Sequence, residues 1–487
     1  MVITNQILIH LIHLLICRWC NLRKRFNIIT NSKDVKKNDI FVCNNKNIEE
    51  RDKYIEDAIN NGAKKIICED TMVESSIPII KVDNVDDELL KIVLNYYDVN
   101  LDDINLIGIT GTDGKTTVAN LVKDLLSNFI KTSYLGTIGF KIDNTSTTTK
   151  NTTPKLENII KFIKKSIGKK CKVMAMEVSS EGLFYDRCHG LQFDIGILTN
   201  ITKDHLNTHK TMKNYKQTKA KLFKQIKSSG WAILNRDDKF YKFIKQSCNS
   251  NIITYGKNKN CDFYISNIKS FTDHTTFNLK YKKNIYKISS PLLAIYNVYN
   301  LVAAIAAICC FDIDINEVLK YISTIKPIAG RLSSIKCGQN YDIIVDYAHT
   351  INATKETLKY FSKIKKNRLI TILGCAGGRD KTKRKYIGKL ASKYSDLVIF
   401  TEDDPRDEEV IDIIYDMLEN VNNDNYVIIT SRKDAVNYAL SNALKDDTIL
   451  FLGKGNDSYM AKKEGYIYYQ DEDEIKNYFK KNHLPSD

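Results

Sequence analysis

Two glycines, a lysine and three threonines sit together in Gly111-Thr112-Asp113-Gly114-Lys115-Thr116-Thr117. That spacing is what a phosphate cradle requires. Glycines let backbone N–H groups approach phosphate oxygens, and the start of a following helix adds a favourable field. Lys115 would reach the β/γ-phosphates, and the Thr116 hydroxyl would bind Mg²⁺. A plain glycine turn would explain the glycines but not the Lys-Thr-Thr. The segment therefore implies a bound nucleoside triphosphate.

Two further groups carry chemistry. Glu177 follows the apolar run Val173-Met174-Ala175-Met176, and Asp204-His205 follow Ile195-Gly196-Ile197-Leu198 shortly afterwards. Hard cations want carboxylate oxygen, and ligands of open α/β sheets collect at the carboxyl ends of strands. Each group alone could simply cap a turn. Successive strand ends carrying Glu and then Asp-His, downstream of a phosphate loop, point to a metal-phosphate site.

The elements that must hold these residues read as α/β. Leu106–Thr110 is an apolar run entering the loop, and Val118, Leu121, Val122, Leu125 and Leu126 mark a helix leaving it. Continuous apolar strands separated by helices predict a parallel sheet covered on both faces. Alternating aromatic and polar residues over 261–290 predict an antiparallel excursion, and Val298–Cys310 a long Ala-rich helix. From Arg331 onward the strand–helix alternation predicts a second doubly wound domain. The 487 residues divide into three expected domains, 1–103, 104–330 and 331–487, with the Asn- and Asp-rich Tyr97–Asn105 as a linker.

The net charge of +15 would suit nucleic acid, but the lysines are spread over helices and loops rather than clustered. A solvated basic surface handling anionic small molecules is the better reading, with no nucleic-acid partner. Twelve cysteines without disulfide rhythm suit a reducing cytoplasm. Cys17 and Cys20, with His13, lack the second pair a zinc site needs. The apolar run Ile7–Ile16 carries His10 and His13 and is too short to span a bilayer, so it reads as an amphipathic helix.

Matched in order, these segments resemble the Mur ligase family, most closely its UDP-N-acetylmuramoyl-tripeptide synthetase branch. The resemblance is carried by Thr110–Thr117, Asn151-Thr152-Thr153-Pro154, Glu177-Val178-Ser179-Ser180, Thr199–Leu206, Tyr215–Phe223 and Gly330-Arg331. It continues through Val345–His349, Gly374–Arg384, Asp403-Asp404-Pro405-Arg406 and Gly453-Lys454-Gly455. It implies a uridine-binding α/β domain, a central P-loop ATPase-type parallel-sheet domain and a C-terminal Rossmann-like domain. It also implies a monomeric, cytoplasmic, ATP-dependent ligase of peptidoglycan synthesis that forms an amide through an acyl phosphate.

The same resemblance assigns roles. Gly111 to Thr117, Asn297, Asn300, Arg331 and Asp346 would hold ATP. Thr116 and Glu177 would hold one Mg²⁺, and His205 with a carbamylated Lys219 a second; from sequence alone Lys219 is indistinguishable from Lys221. Ser32, Thr152, Thr153, Ser179 and Arg187 would bind the UDP-linked peptide. Arg379, Asp403, Asp404, Arg406, Gly453 and Asp457 would bind the incoming diamino acid.

The departures lie on the substrate side. The uridine loop at Lys46–Asp52 lacks the family's glycine and histidine, Glu181, Tyr185 and Asp186 replace usual residues, and Ile351 stands where a proline is usual. Asp113 replaces the usual asparagine of the phosphate loop. Diaminopimelate-adding members typically carry Asp-Asn-Pro-Arg, so Asp404 adds a negative charge where a lysine ammonium would sit. Charge complementarity favours L-lysine, and Arg406 argues for diaminopimelate. A folylpolyglutamate- or cyanophycin-type ligase and a drifted inactive homologue remain alternatives.

Overall fold

The computed structural model describes residues 26–45, 47–271 and 273–482; the run Ile7–Ile16 and the Cys17/Cys20 pair lie outside them. The chain packs as two compact units. One runs to Ile107 and resumes over Ile130–Asp194; the other takes Gly108–Phe129 and continues from Ile195.

The first unit opens with a parallel sheet of Ile28–Ile29, Ile40–Cys43, Lys65–Cys68 and Ile79–Lys81, in sequence order. Helix Ile48–Asn60 buries Ile55 and Ala58 against Phe41 and Ile66. Asn47 caps it by accepting the Glu50 N–H. The expected linker is ordered instead. Asp98 ends helix Val85–Tyr97 in the left-handed conformation, and Asn100 caps a 3-10 turn over Leu101–Asp103. The Asn and Asp residues there close helix ends, which is a use of short polar side chains that composition alone reads as flexibility.

Farther on in this unit, Thr132–Gly136 pairs in parallel with Val173–Glu177 and antiparallel with Gly139–Ile142. The parallel pairing brings the carboxyl ends of the first two strands, Gly136 and Glu177, to one edge. Helix Leu156–Gly168 buries Ile159, Ile160 and Ile163, the i, i+1, i+4 pattern of an amphipathic face.

In the second unit the phosphate loop leads into helix Lys115–Leu126, which packs against helix Ile295–Cys309. Ala303, Ala304, Ala306 and Ala307 are fully buried there, and small side chains allow close approach. Ile226–Asn235, Asn251–Gly256 and Phe263–Ser270 run parallel; Thr275–Tyr281 and Asn284–Ser290 then form the antiparallel excursion expected over 261–290.

A six-stranded sheet follows, in the order Ser333–Ser334, Asp342–Asp346, Thr448–Leu452, Leu369–Leu373, Leu397–Phe400, Tyr426–Ile428, parallel except for the first strand. Ile344, Leu373, Phe400 and Leu450 pack on one side with Leu358, Ile387 and Ile414. Ile343, Ile372, Ile399 and Phe451 pack on the other with Val436 and Ile475. Apolar residues on both faces of the four central strands explain the unbroken hydrophobic runs in the sequence. Ile351 takes the first position of helix Ile351–Ile364, capped by Thr350. A proline is favoured there because the N–H has no intrahelical partner, so isoleucine is accommodated without losing a bond.

Candidate active site

The phosphate loop is held from beneath. The Asp113 carbonyl accepts from Thr199 Oγ1 at 2.6 Å and from Asn200 Nδ2 at 3.1 Å, while the Asp113 N–H donates to Asn200 Oδ1 at 3.1 Å. Gly114, with φ +85°, caps helix Lys115–Leu126, and a Cβ there would fall 2.5 Å from Asn300 Oδ1. Only glycine fits this position. Lys115 Nζ donates to the carbonyls of Gly111 at 3.0 Å and Thr112 at 2.8 Å, and Thr116 is buried.

Lys219, on helix Met212–Lys224, is buried and donates to the Gly111 carbonyl at 2.7 Å, 4.6 Å from the Tyr215 ring centre. Lys221 is exposed, so burial separates two lysines the sequence leaves equivalent. Burial, and then the positive charge of Lys115, drive the Lys219 amine well below its ordinary pKa. His205 sits in the left-handed conformation 3.4 Å from the Asp204 carboxylate. Burial raises the Asp204 carboxyl, but His205, His349 and Lys383 together hold it below its ordinary value.

The first unit contains a cavity of ≈ 550 Å³; in the second, beside the phosphate loop, lies one of ≈ 480 Å³ lined by Asp113, Gly114, Thr117, Asn297, Asn300, Arg331 and Asp346. Asn297 Nδ2 donates to the Leu293 carbonyl at 2.8 Å, and Asn300 Nδ2 to Asn297 Oδ1 at 3.0 Å. The Arg331 guanidinium lies 4.4 Å from the Tyr347 ring centre. Asp346 accepts from Leu332 N at 3.2 Å and Thr357 Oγ1 at 3.1 Å. Asp113 turns its carboxylate to Thr350 Oγ1, at 3.2 and 3.4 Å. Burial raises the Asp113 carboxyl, with the Lys115 charge opposing.

In the first unit, Glu177 is fully buried; Tyr134 Oη donates to it, as do Thr137 N at 3.0 Å and Thr137 Oγ1 at 3.0 Å. Thr152 Oγ1 meets Thr137 Oγ1 at 3.1 Å. Thr153 Oγ1 donates to the Glu177 carbonyl at 2.9 Å and accepts the Ser179 N–H at 2.9 Å. Ser179 caps helix Ser180–Phe184, and Arg187 donates to the Thr153 carbonyl at 3.0 Å. Thr152, Thr153, Ser179, Arg187 and Glu177 thus form one network. Ser32 and Arg187 both line the first unit's cavity.

A third group sits where the C-terminal sheet's strands end. Lys454, 1 % exposed at its side chain, donates to Asp404 Oδ1 at 2.8 Å and to the Tyr459 carbonyl at 2.6 Å, with Asp403 Oδ1 at 4.0 Å. Ala461 N also donates to Asp404 Oδ1, at 3.1 Å. Asp404 and Arg406 both have positive φ, +48° and +54°; for a bulky arginine that backbone is strained by about 1 kcal/mol or more. It is held by hydrogen bonds from Gly377 N to the Asp404 carbonyl and from Arg406 N to the Ala461 carbonyl, each 3.0 Å. A Cβ on Gly453 would lie 2.3 Å from Asp403 Oδ2. Burial pushes Asp457 up to about 6, against the pull of Lys454. Arg379 is exposed and contributes no hydrogen bond or ion pair to this group.

Residues 109–308 match the Mur ligase middle domain, and residues 330–455 match the Mur ligase glutamate ligase domain. The chain belongs to the Mur ligase family. It is 35% identical over 457 residues to the UDP-N-acetylmuramoyl-L-alanyl-D-glutamate--2,6-diaminopimelate ligase of Clostridium botulinum, covering 92% of this chain and 94% of that one. A solved structure of a ligase of the same name superposes with a TM-score of 0.67 at 26% identity, covering 94% and 95% of the two chains. The MurF ligase of Thermotoga maritima in complex with ADP shares the fold, with a TM-score of 0.65 at 18% identity over 94% and 98%. The protein is an ATP-dependent Mur ligase of peptidoglycan synthesis, an amide-forming enzyme that acts on small-molecule substrates.

Within the Mur ligase frame, several residues went unassigned at the sequence level. Asn200 pins the loop from both sides, and Thr350 receives Asp113 from more than 200 residues away. Asn200 could have been noticed as the polar residue ending the strand beside the loop. Nothing local announces Thr350. Lys454 lies within the matched Gly-Lys-Gly, yet its pairing with Asp404 depends on two strand ends meeting. Among the described residues no helix is long and apolar enough to cross a membrane.

Proposed function

We propose that this ligase adds meso-diaminopimelate, rather than L-lysine, to UDP-N-acetylmuramoyl-L-alanyl-D-glutamate. One observation carries the reading: Asp404, the charge that favoured lysine, is occupied by buried Lys454. Arg406, whose Nη2 lies 3.5 Å from Asp404 Oδ2 and whose Nη1 donates to the Gly377 carbonyl at 2.7 Å, offers its remaining N–H groups to a distal carboxylate, which lysine lacks and diaminopimelate has. The full-length relatives named for 2,6-diaminopimelate support the same choice. Arg379 stands as a further partner only if its exposed loop closes on the substrate.

The roles in this reading are those the family resemblance implies. The loop N–H groups and Lys115 bind the triphosphate, Asn297 and Asn300 flank the nucleotide, and Arg331 and Asp346 approach it from the C-terminal segment. Thr152, Thr153, Ser179 and Arg187 orient the peptide whose carboxylate takes the γ-phosphoryl group. Ser32 contributes to holding its uridine end. The amine of the diamino acid, set by Asp403, Asp404, Arg406, Gly453 and Asp457, attacks the acyl phosphate. An amide forms and phosphate leaves. The protein's share is positioning and charge stabilisation, with water kept from the acyl phosphate.

Two Mg²⁺ ions belong to the same reading: Thr116 and Glu177 would offer oxygen to one, and His205 and Lys219 would serve the other. A hard cation rejects an ammonium, but burial and the Lys115 charge shift Lys219 towards its neutral amine, the form that adds CO₂. Its carbamate, made with loss of one proton, presents anionic oxygen. When bound, the ions neutralise the transferring phosphoryl group. The boundaries near 103 and 330 divide this labour among nucleotide-peptide, ATP and amino-acid portions of a monomeric cytoplasmic enzyme.

The test is ligation with lysine, ornithine and diaminopimelate in competition, read by product mass. Predominant diaminopimelate product supports the assignment. Predominant lysine product overturns it, and absence of phosphate release with all three indicates an inactive homologue.

A further inference from the structure

The phosphate loop reaches a helix of the C-terminal segment through Asp113. Helix Ile351–Ile364 carries Asn352, Ala353, Glu356 and Thr357, which line the ≈ 480 Å³ cavity beside the loop. Three hydrogen bonds tie this helix and its cap to segments earlier in the chain. Thr350 Oγ1 donates to the Asp113 carboxylate at 3.2 and 3.4 Å, Thr357 Oγ1 lies 3.1 Å from Tyr296 Oη, and Tyr360 Oη donates to the Phe271 carbonyl at 2.8 Å. Positions i, i+7 and i+10 share one face at 3.6 residues per turn, so the helix is attached along that face.

The first attachment differs from the other two because its acceptor is a carboxylate. Buried Thr350 uses its hydroxyl twice: the oxygen accepts the Ala353 N–H at 3.1 Å, which caps the helix, and the hydrogen goes to Asp113. A carboxylate at the start of a 14-residue helix also meets that helix's positive end. Lys115 and Arg331 add cationic fields of the same stabilising sign. The negative charge in the phosphate loop is therefore met from the C-terminal side. A hydrogen bond to an ionised acceptor is also stronger than one to a neutral oxygen.

We propose that Thr350 is a positioning residue: by donating to Asp113 it holds the start of helix Ile351–Ile364 against the phosphate loop and keeps this wall of the cavity over bound ATP. It acts through Asp113 and the helix, not on a reacting atom. The loop's extra charge is then a catch for the C-terminal segment. Its consequence for the reaction, slow escape of nucleotide while the acyl phosphate awaits the amine, rests on the ligation reading above.

The experiment measures how fast nucleotide leaves the intact chain, by stopped-flow chase of a fluorescent ATP analogue with unlabelled ATP in the presence of Mg²⁺. Thr350→Ser keeps both donor and cap and releases nucleotide at the wild-type rate. Thr350→Val loses both and releases it about tenfold faster. Thr350→Asp separates the two roles. An aspartate caps a helix at least as well as threonine, but it donates nothing and sets a like charge against Asp113, so release is again about tenfold faster. Adding Asp113→Asn supplies an amide N–H that donates to the new carboxylate, and the rate returns to within about threefold of wild type. A rate constant does not depend on the fraction of protein that is folded. Thr350→Asp releasing nucleotide as slowly as wild type would make Thr350 a helix cap and overturn the proposal, as would a double variant no slower than Thr350→Asp. Ligation by the wild type is assayed alongside. If amide forms but the rates do not follow this order, only the catch falls. If the rates follow it but no amide forms with any of the three amino acids, the ligation reading falls instead.

Discussion

The phosphate loop and the acidic group at Asp403–Asp457 solve opposite problems. At the loop the fixed groups are backbone: carbonyls and N–H groups tied by Thr199 and Asn200, with Gly114 pressed against Asn300. Side-chain charges there, Lys115 and Lys219, lean on the loop's own carbonyls. In the acidic group the fixed element is charge, with Lys454 buried among carboxylates and Arg406 held in a strained backbone. A backbone site can be read from residue spacing. A charge site cannot, because the sign it presents depends on who pairs with whom.

Breaking the backbone site costs most. Lys115→Met should lower acyl-phosphate-dependent ADP release by about 10³-fold, the loss of one pre-placed charge at the transferring phosphoryl group; a change under tenfold would remove Lys115 from that role. Lys219→Arg introduces a permanent cation that cannot take up CO₂. We expect about a hundredfold loss in kcat, while wild-type activity falls when CO₂ and bicarbonate are stripped from the assay. Activity indifferent to both would refute the carbamate.

The charge site should respond by preference more than by rate. Lys454→Met leaves Asp404 only its longer, 3.5 Å contact with Arg406, drawing that guanidinium away from substrate, and the diaminopimelate-to-lysine ratio of kcat/KM should drop about tenfold, equivalent to roughly 1.4 kcal/mol. Asp457 gives a pH signature. With its carboxyl near 6, it is ionised above and neutral below, so KM for the amino acid should rise as pH falls through 6. In Asp457→Asn that inflection should be absent. The sign for stability is the reverse: the raised carboxyl favours the folded state below the ordinary carboxyl range, and that contribution is lost as pH rises through about 6. Smallest is Asp113→Asn. Removing a buried negative charge near the phosphates should lower KM for ATP by about two- to fourfold, with Thr350 still donating to the amide oxygen.

How much could be read beforehand follows the same division. The strand–loop–helix order, the parallel sheets and the antiparallel excursion over 263–290 were legible because periodicity reports burial directly. The grouping of Thr152, Thr153, Ser179 and Arg187 came instead from the family resemblance, and hydrogen bonds join them. Two matters were not legible. Lys219 and Lys221 differ only in which face of one helix is covered. The lysine preference failed to anticipate Lys454, because a residue 50 positions away cancels the charge on which the preference stood.

The direct test of the central claim is the diaminopimelate-to-lysine ratio of kcat/KM in wild type, Lys454→Met and the double variant Asp404→Asn/Lys454→Met. A ratio taken within each variant is insensitive to how much of it is folded. The account predicts strong diaminopimelate preference in wild type, a tenfold fall in the single variant and recovery in the double. A ratio that is the same in all three, or a wild type that prefers lysine, would contradict it.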